Sequence, residues 1–433
     1  MFEYLPNIIF VLVLFLGLFF FCRNLYRLYR NINLGKQIDV SDNKIQRFTN
    51  MAKIALGQGK LIKRPISGFL HVVVYIGFII INIELLEIVL DGILGTHRLF
   101  STYLGAIYGY LIGTFEFLAV SVLLAVFIFW TRRNVIKLKR FFGDNMNGWP
   151  KNDANIILYF EVVLMVLFIT MNAADLKFQE MNSGNLISGY VAGFFSGFSN
   201  ESLHLIERAC WWAHIIGILI FMNYLYFSKH LHILLAFPNT YFAKLNNLGE
   251  IDNLESVTNE VKLMMDPETA FSNNGSESDE IDKFGSSDVM DLNKLQLLNA
   301  YSCTECGRCT SVCPANITGK KLSPRKIMMD TRDRIEEVGK NIDLNNGNFI
   351  DDGKTLLNDY ITKEELWACT SCNACVQECP ISIDPLSIIL DMRRYLVMEE
   401  SSAPLELNNM MSNIENNGAP WPYNQMDRLN WKE

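Results

Sequence analysis

Five apolar stretches separated by polar connections dominate the first half of the chain. They lie at residues 6–22, 67–90, 103–130, 154–174 and 209–237. Each is long enough to cross a hydrocarbon core of about 30 Å as a helix. The run at 6–22 has no basic region before it and is followed by arginines, so we interpret it as a retained anchor. The pattern therefore predicts an all-α fold that opens with a five-helix transmembrane bundle.

The connections between these stretches differ sharply in basic residues. Residues 23–64 contain ten Lys or Arg and residues 131–151 contain six, whereas the opposite connections hold only Arg98, Lys177 and Arg208. Positive residues concentrate on the cytoplasmic side of membrane proteins. We therefore expect the N-terminus outside, and everything after the fifth helix in the cytoplasm of a bacterium with the bundle in its inner membrane.

The second half of the chain is polar and divides into three parts. Residues 1–240 form the predicted membrane domain and residues 241–292 an acidic, flexible linker whose most polar part is 273–280. Residues 293–400 form a helical domain, in which Ser323-Pro324, Asp384-Pro385 and the capping box from Thr362 to Glu365 mark helix starts. Residues 401–433 are a tail that we expect to dock a partner.

Composition narrows the function classes further. Half of the residues are hydrophobic and only 19% are charged, which is typical of a membrane protein. The formal net charge of −8 argues against a nucleic-acid partner, because no basic face is available to neutralise phosphates. Membrane lipid is the expected environment instead.

Eight of the ten cysteines form two runs with identical spacing, C-x2-C-x2-C-x3-C-P. This is the ligand spacing of bacterial-type [4Fe–4S] clusters, in which the fourth cysteine of each run ligates the other cluster. Paired CxxC motifs also occur at zinc sites, but zinc would leave the third and fourth cysteines of each run unexplained. We therefore predict two [4Fe–4S] clusters, held by a first cysteine set (Cys303, Cys306, Cys309, Cys379) and a second cysteine set (Cys369, Cys372, Cys375, Cys313).

Histidines in the apolar stretches are candidate axial ligands for haem. His214 and His232 are 18 residues apart, so on one continuous helix they would share a face and be separated by about 27 Å. His71 enters the second stretch at nearly the depth where His232 leaves the fifth. We predict that His71 and His232 clamp one haem b, with His97 folding back towards His214 as a second candidate pair. An interfacial role for any single histidine is the alternative.

Three carboxylates fall inside the predicted spans, namely Glu84, Glu87 and Glu116. Charges in a bilayer are costly and usually face a bundle interior or a water-filled path. These residues either line a proton route to a quinone or pack against arginines and polar helix faces.

The two halves each resemble a known family. The cysteine runs, with Leu322-Ser323-Pro324-Arg325-Lys326 and the helix caps, resemble the alpha-helical ferredoxin domain of heterodisulfide-reductase-like proteins. The five-helix part resembles the cytochrome b gamma subunit of respiratory nitrate reductase. That family has two histidines ten residues apart on the second helix; His71 matches the first, but position 81 is Ile81. The resemblance therefore implies one haem b near His71 and leaves a second less supported.

The combination of the two modules resembles membrane iron–sulfur oxidoreductases of the electron-transfer-flavoprotein:menaquinone type. In those proteins, segments similar to Pro420-Trp421 and Asp427-Arg428 lead into CCG domains, and no CCG motif occurs in this sequence. The resemblance implies an oxidoreductase subunit passing electrons between a soluble flavoprotein or a CCG-domain iron–sulfur subunit and menaquinone. A haem-free membrane-tethered ferredoxin and a membrane subunit of a heterodisulfide-reductase-like complex are the alternatives.

Overall fold

The fold is helical throughout the part of the chain that the structure describes. The structure is a computed structural model that describes residues 4–181, 183–265 and 283–432. Within these ranges β-pairing is limited to two isolated bridges, Lys36 with Asn293 and Leu357 with Ile361. The all-α prediction is confirmed.

The first 265 residues contain the long apolar helices and several short connecting ones. Five helical segments are long and apolar enough to cross a membrane, as predicted: α1, α3, α5, α6, and α9 with its extension to Phe227. Pro residues in the first turn of α1, α3 and α6 suit those positions, because the first turn needs no backbone donor. The helices are α1 Leu5–Ile32, α2 Lys44–Met51, α3 Pro65–Leu94, α4 Leu99–Leu104, α5 Ala106–Asn134, α6 Trp149–Ala174, α7 Leu176–Glu180, α8 Ser188–Ala192, α9 Asn200–Tyr224, α10 His232–Tyr241 and α11 Glu255–Met265.

Helix α5 lies at the centre of this bundle. Its Tyr108, Ile112 and Ala119 are completely buried, whereas many apolar residues of α1 and α3 face outwards. Helix α3 approaches α5 closely at Gly77, where a Cβ atom would lie 2.6 Å from a Val122 methyl group. Apolar outer faces around a packed interior are what a bundle in lipid requires.

The fifth span corrects the expectation of one continuous helix over residues 209–237. Helix α9 ends at Tyr224, a short 3-10 turn continues to Phe227, and α10 begins only at His232. Ser228 between them is extended, at φ −118° and ψ 148°. Its side chain accepts a hydrogen bond from the His230 amide (3.1 Å), and Asp153 accepts one from the Lys229 amide (3.1 Å), so side chains stabilise the break.

The remaining helices form the cluster-bearing domain. All three predicted caps are present: Ser323, Asp384 and Thr362 accept from the backbone amides three residues later, and Glu365 completes the capping box. The helices are α12 Lys294–Ser302, α13 Arg308–Val312, α14 Pro314–Ile317, α15 Pro324–Leu344, α16 Lys363–Trp367, α17 Ala374–Glu378, α18 Pro385–Met398 and α19 Leu405–Asn417.

The expected linker is partly folded. Residues 283–292 pack into the core of the cluster-bearing domain, where Val289 and Leu292 are completely buried. Asp288 is held there by Arg334, whose Nη2 donates to its carboxylate at 2.8 Å. The polar stretch 273–280 lies outside the described residues. The domain therefore begins about ten residues earlier than predicted, because an ion pair distant in sequence compensates for the polar composition.

The cluster-bearing domain packs against one end of the bundle. Asn31 at the end of α1 donates to the Tyr301 hydroxyl at 2.9 Å, and Asn239 in α10 donates to the Ile381 carbonyl at 2.8 Å. Leu28 and Leu235 belong to the same apolar core as residues of α12 and α15. This end is where α3 begins, so the cysteine loops lie beside the first turns of α3.

Candidate iron–sulfur and haem sites

The two cysteine runs adopt the same backbone conformation. Glu305 and Gly307 have φ values of 54° and 70°, and the equivalent Ser371 and Asn373 have 54° and 58°. Each run then enters a five-residue helix, α13 or α17, and leaves it at an extended cysteine. Alternating left-handed residues wrap a short loop so that its side chains turn inwards. The repeated spacing thus corresponds to a repeated fold.

The runs exchange their fourth cysteines in space. The first cysteine set lines one pocket, in which Cys379 joins three residues of the other run. In the second cysteine set, Cys313 lies within electrostatic range of Cys369 and Cys375. Backbone amides also point at sulfur: Ser371 donates to the Cys369 sulfur at 3.4 Å and Ile383 to the Cys379 sulfur at 3.3 Å. The structure groups these thiols as the two predicted sets, while ligation itself stays a prediction.

The chemistry of these thiols fits a metal cluster. Burial raises the pKa of Cys303 and of Cys375 to about 12 and that of Cys379 to about 11, and neighbouring thiols add to the effect. Such groups stay neutral at physiological pH unless a cation stabilises the thiolate. Iron in a cluster supplies that charge. Two sets of four convergent thiols are the donor sets that two [4Fe–4S] clusters require.

His71 and His232 meet where α3 begins and α10 starts. Their ring centroids are 6.2 Å apart. Two imidazoles that bind one metal from opposite sides, at about 2 Å per metal–nitrogen bond, have centroids about 6 Å apart. The His232 Nδ1 lies 3.1 Å from the Lys229 carbonyl, which leaves Nε2 free for a metal, and the buried His71 Nδ1 has no partner among the described residues. The pair therefore fits the axial ligation of one haem.

His214 and His97 have other surroundings. The break at Ser228 separates His214 from His232, so the helical-face argument linking those two histidines is wrong. The His214 ring lies 6.3 Å from Phe168, and its Nδ1 is buried without a partner in the described part of the chain. His97 Nε2 lies 3.2 Å from a carboxylate oxygen of Asp175. The contacts of the two imidazoles are with different residues, and their pairing stays a prediction.

Two residues near the haem site were not singled out from sequence. The His230 ring lies 5.5 Å from His232 and perpendicular to it. Lys229 forms an ion pair with Glu305, which sits inside the first cysteine loop. The only sequence signal was the polar run around Ser228 at the end of an apolar stretch. Lys229 thus joins the fifth span directly to the cluster-bearing domain.

The predicted membrane carboxylates belong to a hydrogen-bonded network at the other end of the bundle. Glu87 accepts from the Tyr108 hydroxyl at 3.0 Å, and Glu116 accepts from the Asn172 amide at 3.1 Å. Arg98 donates to Asn172 and to Asp175, which links the network. Glu84 lines an adjoining cavity of about 380 Å³, and one of its oxygens has no partner among the described residues. Packing against an arginine and polar helix faces therefore accounts for Glu87 and Glu116.

Comparison with known proteins decides the nature of the cysteine-rich region. The family model described as 4Fe-4S dicluster domain matches residues 302–383. This region is a 4Fe-4S dicluster domain. No solved structure matches the chain.

The relatives are iron–sulfur oxidoreductases. The chain is 28% identical to the probable iron-sulfur-binding oxidoreductase FadF of Bacillus subtilis, over 93% of this chain and 57% of the relative. It is 25% identical to the EtfAB:quinone oxidoreductase of Syntrophomonas wolfei, over 91% of this chain and 55% of the relative. The dicluster region is 32% identical to one component of the ferredoxin/F(420)H(2)-dependent CoB-CoM heterodisulfide reductase of Methanosarcina acetivorans, over 28% of this chain and 60% of that component.

The chain therefore spans somewhat more than half the length of the first two relatives. Both relatives are named oxidoreductases, which supports the expectation of an oxidoreductase subunit. The heterodisulfide-reductase-like ferredoxin domain expected from the cysteine runs is likewise supported.

Proposed function

We propose that this protein is a membrane electron-transfer subunit that connects a soluble flavoprotein or iron–sulfur partner to the quinone pool. The clusters and a haem b would supply one-electron carriers, and the chain's own task is to hold, shield and align them. The first and second cysteine sets would ligate the clusters, and His71 and His232 would ligate the haem. The bacterial inner membrane, with the dicluster domain on the cytoplasmic side, is the proposed location.

The observation that carries this proposal is the direct contact between the two candidate sites. Arg308, which lies between Gly307 and Cys309, donates to the Leu61 carbonyl at 3.4 Å and to the Ser67 hydroxyl at 3.5 Å. Ser67 is one turn before His71 on α3. The first cysteine set and the histidine pair thus share a boundary that protein side chains fill. Close, dry spacing of this kind is what electron exchange between two centres needs.

The proposed partners rest on the relatives. One of the two relatives that match most of this chain is named EtfAB:quinone oxidoreductase, and we propose electron-transfer flavoprotein as donor and menaquinone as acceptor. A CCG-domain iron–sulfur subunit is a further proposed partner, supported by the match to a heterodisulfide reductase component. Cys372 is exposed, so a partner could approach the second cysteine set.

The decisive experiment uses purified full-length protein and its reduced-minus-oxidised spectrum. We expect a b-type alpha band together with about eight iron atoms in clusters per chain. His71→Ala and His232→Ala should each lose the band and keep the cluster iron. His204→Ala is the matched control, because His204 is an exposed residue near the start of α9 and should leave the band unchanged.

Two outcomes would favour other functions. A wild-type protein with full cluster iron and no alpha band would be a membrane-tethered ferredoxin. If reduced electron-transfer flavoprotein fails to reduce the centres while a thiol–disulfide couple succeeds through a CCG partner, a heterodisulfide-reductase-like role would replace the proposed one.

A further inference from the structure

Four positively charged side chains surround the first cysteine set. Arg308 and Arg325 line the same pocket as these cysteines and are only 3% and 2% exposed. Lys60 donates to the Ser382 hydroxyl at 3.0 Å, three residues after Cys379. Arg140 lies against the loop from the other side, and its carbonyl accepts from Arg325 at 2.6 Å. We call Lys60, Arg140, Arg308 and Arg325 the cation ring.

None of these four cations has a carboxylate within ion-pair distance in the described ranges 4–181, 183–265 and 283–432. Within the same ranges, the Nε atoms of Arg140 and Arg325 are buried without any hydrogen-bond partner. Unpaired buried cations are costly, so an anion is expected among them. A cluster held by four thiolates carries net negative charge and provides that anion.

The one carboxylate in the first cysteine loop is already neutralised. Glu305 is 4% exposed and forms ion pairs with Lys229 and with Arg332, the latter at 2.9 Å. Its negative charge is therefore compensated before it reaches the thiols. The net local charge around the first cysteine set is positive.

The second cysteine set has different surroundings. Arg393 is the nearby cation, and its guanidinium donates to the carbonyls of Leu366 and Cys369. Asp384 adds negative charge beside Cys375. Cys372 is exposed, so water screens charges there. The same sequence motif is thus placed in two opposite electrostatic environments.

We infer that the cation ring raises the reduction potential of the cluster at the first cysteine set above that of the cluster at the second. Reduction adds a negative charge, and nearby unpaired cations in a buried site stabilise it. Lys60 and Arg140 come from the connections before α3 and α6, so the membrane domain itself sets this difference. The inference rests on the proposed cluster ligation. It assigns the exposed second set as the entry point and makes transfer towards the membrane energetically downhill.

The test is a redox titration of the purified full-length protein, followed by the electron paramagnetic resonance signals of the reduced clusters. Two midpoints are expected, and Cys372→Ser should remove the signal with the lower one. Lys60→Gln and Arg140→Gln should each shift the higher midpoint to lower potential and leave the other in place. Lys63→Gln is the control, because Lys63 lies in the same connection but is exposed.

The inference is overturned if both ring variants leave the higher midpoint where Lys63→Gln leaves it, or if they shift the lower one. It is also overturned if Cys372→Ser removes the higher-potential signal. Iron analysis separates this failure from that of the proposed function. A wild-type protein without two clusters would refute the cluster assignment itself, whereas two clusters of equal potential would refute only the inference.

Discussion

Arg334 should be the most important single charge for the stability of the cluster-bearing domain. Its side chain is completely buried. It donates to both oxygens of Asp288, to both oxygens of Asp352 and to the Lys354 carbonyl at 2.7 Å. It therefore joins residues 283–292, helix α15 and the loop before residue 356 in one place. Replacing it by Met keeps most of the volume and removes all of these bonds.

The expected cost follows from the burial of the partners. Removing one member of a buried ion pair costs about 3–5 kcal/mol. Because the side chains of Asp288 and Asp352 remain 14% and 24% exposed, water can partly rehydrate them. We therefore expect the lower end, about 3 kcal/mol, which for a domain of this size is a fall in Tm of roughly 6–12 °C. Arg334→Lys should fall between, because an ammonium group cannot form both bidentate pairs.

The assay is thermal unfolding of the purified protein at a fixed heating rate, followed by loss of cluster absorbance. Lys354→Gln is the matched control: its ion pair with Glu337 spans 3.3 Å between side chains that are 52% and 42% exposed. Exposed pairs contribute about 0.2–1 kcal/mol, so its Tm should change little. A fall for Arg334→Met no larger than that for Lys354→Gln would refute the reasoning.

Three further predictions concern other parts of the domain. Cys375→Ser should remove one cluster and about half of the cluster iron while leaving the haem band; unchanged iron would contradict the ligation. Glu305→Gln should lower the free energy of unfolding by about 1–3 kcal/mol, because Lys229 and Arg332 lose a buried anion; its Tm is compared with that of the exposed variant Glu406→Gln. Burial raises the pKa of Asp330 from 3.8 to about 6, although Lys326 partly offsets this. A carboxyl group with a raised folded-state pKa loses stabilising free energy as pH rises from 3.8 through about 6, so Asp330→Asn should remove this part of the pH dependence of Tm; identical curves for the two proteins would exclude it.

Local sequence patterns determined much of this protein. The five apolar stretches gave five membrane-length helices because hydrophobic length is a local property. Ser323, Thr362 and Asp384 cap helices as predicted, since a cap involves residues three positions apart. The spacing of the cysteines likewise identified the dicluster region, which the family model matches at residues 302–383.

The tertiary structure decided the features that depend on residues far apart in the chain. The break at Ser228 depends on Asp153, so the helical periodicity that joined His214 to His232 did not apply there. Residues 283–292 fold because Arg334 holds Asp288, although their composition alone indicates a linker.

The electrostatic difference between the two cysteine sets also belongs to the tertiary structure. The two runs are identical in spacing and nearly identical in backbone conformation, so no local pattern distinguishes them. Lys60 and Arg140 reach the first set from connections of the membrane domain. Local patterns fix which atoms are available for chemistry, whereas the charges around those atoms depend on distances that only the folded chain defines.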